Sequence, residues 1–343
     1  DAEYEAAGAT VAPRDQVLAS SLVASVRPVA ELAALPAGTI AVCIADPFRH
    51  PDVVRAAVAG GLTFVSLDMI NRRLTRAQAM DVNSSQDNLA GYRAALVGAH
   101  HAARAFPMMT TPAGTIRPAK VVVMGSGVAG LQAIATSRRL GAVVHGSDVR
   151  AAAAEQIESV GGRFIHVDGM EDFEDASGYA KPLTPEFIDH INATVCGVAA
   201  DADVIITTAR IFGRQAPITV PASAVDTFKP GAVIVDMNAA SGGNCERTEP
   251  GRTVVTARGV TIVGIENLPG TLPHSASMLL SNNLVRFLQS IAGEGGWALD
   301  PADEILFGPR EGAPFHVRGM GGVVLCQDGA LDTHHTRLAE VIG

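Results

Sequence analysis

The residues Gly125-Ser126-Gly127-Val128-Ala129-Gly130 leave an unbroken apolar run, Val121-Val122-Val123-Met124, and a carboxylate, Asp148, follows about 20 residues later. Each glycine in that spacing answers a physical need. Gly125 permits a tight turn, Gly127 lets the backbone approach a pyrophosphate, and Gly130 lets a helix pack closely on a strand. The amide groups that open the helix then face the phosphates, with the positive end of the helix dipole behind them. A carboxylate at 148 can accept hydrogen bonds from an adenosine ribose and repels a 2'-phosphate, which favours NAD over NADP. Arg150 can instead accommodate that phosphate, so the choice stays open at this point. Ser126, Val128 and Val149 complete the expected binding set around the loop and the acid.

Such a loop works only at the carboxyl end of a buried parallel strand and the start of a helix. The run 121–124 suits the strand, Leu131, Ala135 and Leu140 share one helical face, Gly141 follows as a stop, and 142–148 begins a second strand. Further strands are expected at 38–44, 62–67, 163–167, 204–207, 232–236, 253–256 and 260–264. Helices are expected at 50–59, 75–106 and 279–292, with a linker at 107–114 and a polar loop at 168–181. The β-α-β rhythm on both sides of the loop implies an α/β protein of two Rossmann-like domains with parallel sheets. The expected division is a discontinuous flanking domain, 1–105 with 286–343, around a central dinucleotide-binding domain, 106–285.

Composition limits the partners. A chain of 343 residues with 48% hydrophobic content can bury two cores, and a net charge of -9 argues against nucleic acid or an anionic membrane. No apolar run approaches the ~20 residues of a membrane helix, so direct membrane insertion is not expected. The four cysteines and ten histidines show no metal-ligand spacing, and the cysteines read as buried free thiols in a reducing cytoplasm.

Beyond the glycine loop, four motifs are specific: R-A-Q-A-M-D-V-N-S-S-Q-D-N-L-A-G-Y-R-A at 76–94, G-Y-A-K at 178–181, I-V-D at 234–236 and G-G-N-C-E at 242–246. Together they resemble the alanine dehydrogenase/pyridine nucleotide transhydrogenase family, and its proton-translocating transhydrogenase branch more than its alanine dehydrogenases. The resemblance runs almost end to end. It implies a subunit that binds NAD(H) and exchanges hydride with NADP(H) on a partner domain. It also implies a homodimer, and attachment through partner subunits to a membrane domain at the inner face of the plasma membrane. Arg73, Gln78, Asp81 and Ser84 match the segment that clamps nicotinamide, Tyr179 matches a mobile loop over the cofactor, and Thr208, Ala209 and Asn238 match backbone beside ribose and nicotinamide. Residues 1–10 resemble an interior piece of the family, so an opening βα segment is expected to precede them.

Some positions depart from that pattern. The family's A-L-I-P-G-K-P-A-P stands here as Ala209-Arg210-Ile211-Phe212-Gly213-Arg214-Gln215-Ala216-Pro217, and polar Asn238 lies close by in sequence. Alanine dehydrogenases carry an acid at the position of Ala240 and a histidine near Cys43; neither is present, which removes the proton-transfer group that amino-acid oxidation needs. Two further readings therefore stand beside the first: a self-contained NAD-dependent oxidoreductase or NAD-modifying relative, and a non-catalytic NAD(H) sensor.

Overall fold

The computed structural model describes residues 1–150, 152–169, 184–308 and 321–343. Its contacts divide the chain into two compact units, Asp1–Asn83 with Ser281–Gly343, and Ser84–Leu280.

In the first unit, parallel strands β1 (Leu22–Ala24), β2 (Ile40–Cys43) and β3 (Thr63–Ser66) pair in order. Strands β2 and β3 are buried throughout, β2 as an unbroken apolar run and β3 with Phe64 and Val65 between buried Thr63 and Ser66. Helix α1 (Pro51–Ala59) connects them, with proline in its first turn, where the missing N–H costs nothing, and Val54 and Ala57 turned inward. After β3 the chain does not enter the long helix expected over 75–106. Thr75–Met80 is a 3-10 segment, and helix α2 (Val82–His101) begins only after Asp81, whose ψ of 91° is extended. Tertiary contacts outweigh the local helix preference of these residues: Ala77 and Met80 are buried, and Asn283 Nδ2 donates to the Ala79 carbonyl at 2.9 Å.

The second unit is a parallel sheet with one antiparallel edge. Its strands are β4 (Lys120–Met124), β5 (Val143–Ser147), β6 (Arg163–Phe164), β7 (Val204–Thr207), β8 (Val233–Asp236), β9 (Thr253–Val255) and β10 (Thr261–Val263). In space they run β9-β10-β8-β7-β4-β5-β6, and only β9 is antiparallel. Leaving β9 aside, this is the doubly wound dinucleotide-binding order, and the direction of winding reverses between β4 and β7. Within β4, Val121 and Val123 join one buried cluster while Val122 and Met124 join another, so the strand is packed on both faces. Helix α3 (Val128–Arg139) follows the glycine loop, and helix α4 (Pro185–Ala199) covers the other face, capped by Thr184 Oγ1 accepting from the Phe187 amide.

Helix α2 packs on this second unit, which places the division near Asn83, earlier than the 105/106 boundary read from the sequence. The contact is made by glycines. A Cβ at Gly91 would stand 2.0 Å from the Ala129 carbonyl oxygen, and one at Gly98 would stand 2.6 Å from Val204 Cγ1. Near the end of the chain, β11 (Val324–Gln327) returns to the first unit and pairs antiparallel with β3, and β12 (Ala330–Leu331) pairs with β11. That sheet therefore joins the parallel strands β1–β3 to an antiparallel pair. The short apolar run at 322–326 becomes an inner strand because β3 needs a second partner.

Candidate dinucleotide site

The three glycines of the loop take three separate roles. Gly125 has φ +100°, a left-handed conformation that favours glycine, and a Cβ there would meet Thr208 Oγ1 at 2.5 Å. At Gly130, a Cβ would stand 1.9 Å from the Gly125 carbonyl oxygen, so the helix start rests directly on the loop. Around Gly127 nothing lies within 4 Å of a Cβ, which makes this the position where the backbone can be approached from outside. Gly127 also caps α3, whose first-turn amides have no acceptor within the helix. Thr208, just past β7, fixes the loop across the point where the winding reverses, its hydroxyl lying 3.2 Å from the Met124 carbonyl and 3.1 Å from that of Gly125.

Asp148 is tied to the same loop. Ser126 N–H and Oγ–H donate to its Oδ2 at 2.9 and 2.8 Å, and the Arg150 amide donates to Oδ1 at 3.0 Å. The Arg150 guanidinium then forks over the carboxylate, Nε to Oδ1 at 2.9 Å and NH2 to Oδ2 at 3.1 Å. Burial pushes the Asp148 carboxyl up, but the Arg150 fork, its charge and the Ser126 donors outweigh it and hold the group below its ordinary value. Ser126 and Asp148 thus act on each other, and Val149 is half-buried between Asp148 and Arg150.

Asn238, named with the cofactor-binding set, is 8% exposed, and its amide is engaged inside the protein. Its Nδ2 donates to the Ala209 carbonyl at 3.0 Å and to Asn244 Oδ1 at 2.8 Å, while Asn244 Nδ2 donates to the carbonyls of Ala209 and Pro217 at 2.8 and 2.7 Å. The two asparagines brace the loops that leave β7 and β8. Under them lies Asp236, fully buried, whose carboxylate accepts from the amides of Asn238, Asn244 and Cys245 and from Thr248 Oγ1. The sequence motifs that contain Asp236 and Asn244 assign neither residue a task. An acid closing a buried strand and followed by Gly242-Gly243 is the available signal, since a buried carboxylate must find donors.

The residues expected from the resemblance to clamp nicotinamide divide between the units. Arg73, Gln78 and Asp81 belong to the first: Gln78 is exposed on the 3-10 segment, Arg73 is half-buried, and Asp81 is only 5% exposed. Arg76, between Arg73 and Gln78, pairs with Asp303 at 2.5 Å. Ser84 stands in the first turn of α2 and belongs to the second unit with the glycine loop. One turn further along α2, Asp87 pairs with Arg210 at 3.7 Å, and Asn88 Nδ2 lies 3.4 Å from Gln132 Oε1 on α3. Tyr179, with the rest of 178–181, lies outside the described residues.

All four cysteines are buried free thiols, and burial pushes Cys43 up to about 12 and Cys196, Cys245 and Cys326 up to about 11. Among the described residues, no helix is long and apolar enough to cross a membrane.

Strand order, glycine loop and carboxylate together define a dinucleotide-binding α/β protein. Residues 1–90 match the family domain described as Alanine dehydrogenase/PNT, N-terminal domain, and residues 94–309 match its C-terminal counterpart. Over 260 residues the chain is 47% identical to an NAD(P) transhydrogenase subunit alpha protein of Rhodospirillum rubrum, covering 75% of this chain and 67% of that protein. The corresponding protein of Rickettsia prowazekii is 38% identical over 314 residues, 89% of this chain and 81% of its own length. A solved structure, the transhydrogenase from Sinorhizobium meliloti, superposes with a TM-score of 0.82 at 39% identity, covering 96% of this chain and 86% of that one. The chain belongs to the alanine dehydrogenase/pyridine nucleotide transhydrogenase family, a family of oxidoreductases.

Proposed function

We propose that this chain is the NAD(H)-binding subunit of a transhydrogenase, exchanging hydride with NADP(H) held on a partner domain. The observation that carries the reading is the glycine loop itself, open at Gly127 and backed by the α3 amides, with Asp148 anchored to it through Ser126. The similarity to transhydrogenase alpha subunits supplies the reaction class. Gly127 and the first amides of α3 hold the pyrophosphate, and Asp148, with Arg150 beside it, faces the adenosine ribose. Bound NAD(H) supplies a hydride donor or acceptor. Arg73, Gln78, Asp81 and Ser84 orient the nicotinamide end; a carboxylate and a hydroxyl suit its carboxamide, and glutamine can bridge toward the second nucleotide. Hydride passes from carbon to carbon, so these residues need only position the ring, and no acid-base pair is called for.

Two of the departures that favoured a stand-alone enzyme have structural tasks: Asn238 braces two loops and Arg210 pairs with Asp87. That weakens the alternative. The reading carries with it a homodimer, a flanking domain built from both chain ends, and a cytoplasmic position at the inner face of the plasma membrane through partner subunits. Mixing the chain with an NADP-binding partner domain and following hydride transfer between the nucleotides tests it. Transfer that depends on both components is expected; no transfer in any mixture overturns the reading.

A further inference from the structure

Asp148 receives five hydrogen bonds. A carboxylate offers about four lone-pair directions, so no acceptor capacity is left over for a ribose diol. Three of the five donors cannot leave. The Ser126 and Arg150 amides belong to the backbone that shapes the site, and the Ser126 hydroxyl sits on a residue 1% exposed. Only the guanidinium can move: the Arg150 side chain is 32% exposed, whereas that of Asp148 is 9% exposed. The fork therefore covers the outward lone pairs that a ligand hydroxyl must reach.

We infer that Arg150 limits the preference for NAD over NADP that Asp148 imposes, by competing with the ribose 2'-hydroxyl for Asp148. This rests on the proposed NAD(H) function and deepens it. For NAD to bind, the guanidinium must give up a charge-assisted, two-pronged contact, which lowers NAD affinity. For NADP, the same guanidinium lies beside the carboxylate that would repel a 2'-phosphate, and it offers that phosphate a planar pair of donors. Arg150 thus narrows the discrimination that Asp148 alone would impose. Asp148 supplies the preference and Arg150 limits it.

Two variants of the full chain separate occupancy from charge. Arg150→Leu removes the competitor and the phosphate partner together. NADH should bind more tightly, NADPH more weakly, and the NADPH-to-NADH ratio of dissociation constants should rise about tenfold or more, the equivalent of one charge-assisted hydrogen bond. Arg150→Lys keeps the charge but loses the fork, so NADH should bind more tightly while NADPH binding stays within about twofold of wild type. Direct titration of NADH and NADPH against each protein reads both constants. A purely structural role for Arg150 would weaken both nucleotides alike and leave the ratio unchanged, and that result overturns the inference. If the wild-type chain binds neither nucleotide, the proposed function falls, and the specificity role falls with it. If it binds both but the ratio is unmoved by Arg150→Leu, only the specificity role falls.

Discussion

Alanine placed at Gly127 and at Gly130 should give opposite results, because one glycine faces open space and the other a backbone oxygen. At Gly130 the new Cβ would stand 1.9 Å from the Gly125 carbonyl oxygen. Close carbon–oxygen contacts lie at roughly 3.3 Å, so the loop and the start of α3 must separate by about 1.4 Å. Against a backbone oxygen at this distance such overpacking costs about 2–3 kcal/mol, the upper part of the usual range, while alanine in a helix recovers about 0.5–1 kcal/mol, which leaves a net loss of roughly 1–2 kcal/mol. For a unit of this size each kcal/mol lowers Tm by about 2–4 °C, so Gly130→Ala should melt about 2–8 °C below wild type. At Gly127 the backbone has φ -66° and ψ -171°, which alanine adopts without strain, and no protein atom lies within 4 Å of its Cβ. The poorer cap and the stiffer unfolded chain nearly cancel there, so Tm should stay within about 2 °C of wild type. Its methyl group would nonetheless occupy the path of an approaching pyrophosphate, and NADH affinity should fall by at least about tenfold, the loss of one hydrogen bond to a charged group. Scanning calorimetry and NADH titration on both variants read the two effects separately. A Gly127→Ala protein that binds NADH as wild type does, or that melts as early as Gly130→Ala, refutes the division of roles.

Asp148→Asn should weaken NADH binding and also flatten the acid limb of stability. The folded carboxyl is held below the ordinary aspartate value of about 3.9, so its contribution is complete above that pH and is lost as pH falls through the lower folded value. Denaturant midpoints measured from pH 6 down to pH 3 should therefore converge for the two proteins at the acid end. Asn244→Ala removes the side-chain donor to the part-buried carbonyl of Pro217 and one of the two to that of Ala209, and it leaves Asn238 without the Asn244 Oδ1 acceptor. It should cost about 1–3 kcal/mol in a urea titration, more than Asn238→Ala, which retains the Asn244 contacts. The cysteines should resist thiol reagents at pH 8 in the folded protein and label fully in denaturant, since burial holds Cys43 up to about 12 and the others up to about 11. Rapid native labelling at any of them would show that its cover opens.

The glycine loop is legible from sequence because backbone geometry demands each of its glycines, and the buried strands are legible because double burial favours short apolar runs. The segment at 73–81 is not. Its Thr75-Arg76-Ala77-Gln78-Ala79-Met80 run suits a helix locally, and only remote contacts, such as Asn283 on the Ala79 carbonyl, turn it into a 3-10 segment. The brace around Asp236 is hidden for a related reason: Asn238 and Asn244 act on the backbone carbonyls of Ala209 and Pro217, and backbone groups carry no sequence signal. Asp148 is legible as an acid beside the loop, but whether its lone pairs are available depends on the side-chain conformation of Arg150, which spacing does not encode.

The approach of Gly91 to the Ala129 carbonyl sets how this lineage can vary. A separation maintained by glycine hydrogens against a backbone oxygen is indifferent to the side chains around it. Replacements at Arg210 or Phe212 can accumulate without sliding α2 along α3, so Ser84 keeps its station relative to the loop while its neighbours drift. Any larger residue at 91 would displace that helix at once. Selection for altered specificity in this scaffold should therefore enter through the flanking loops, with Gly91 as the position where tolerance ends.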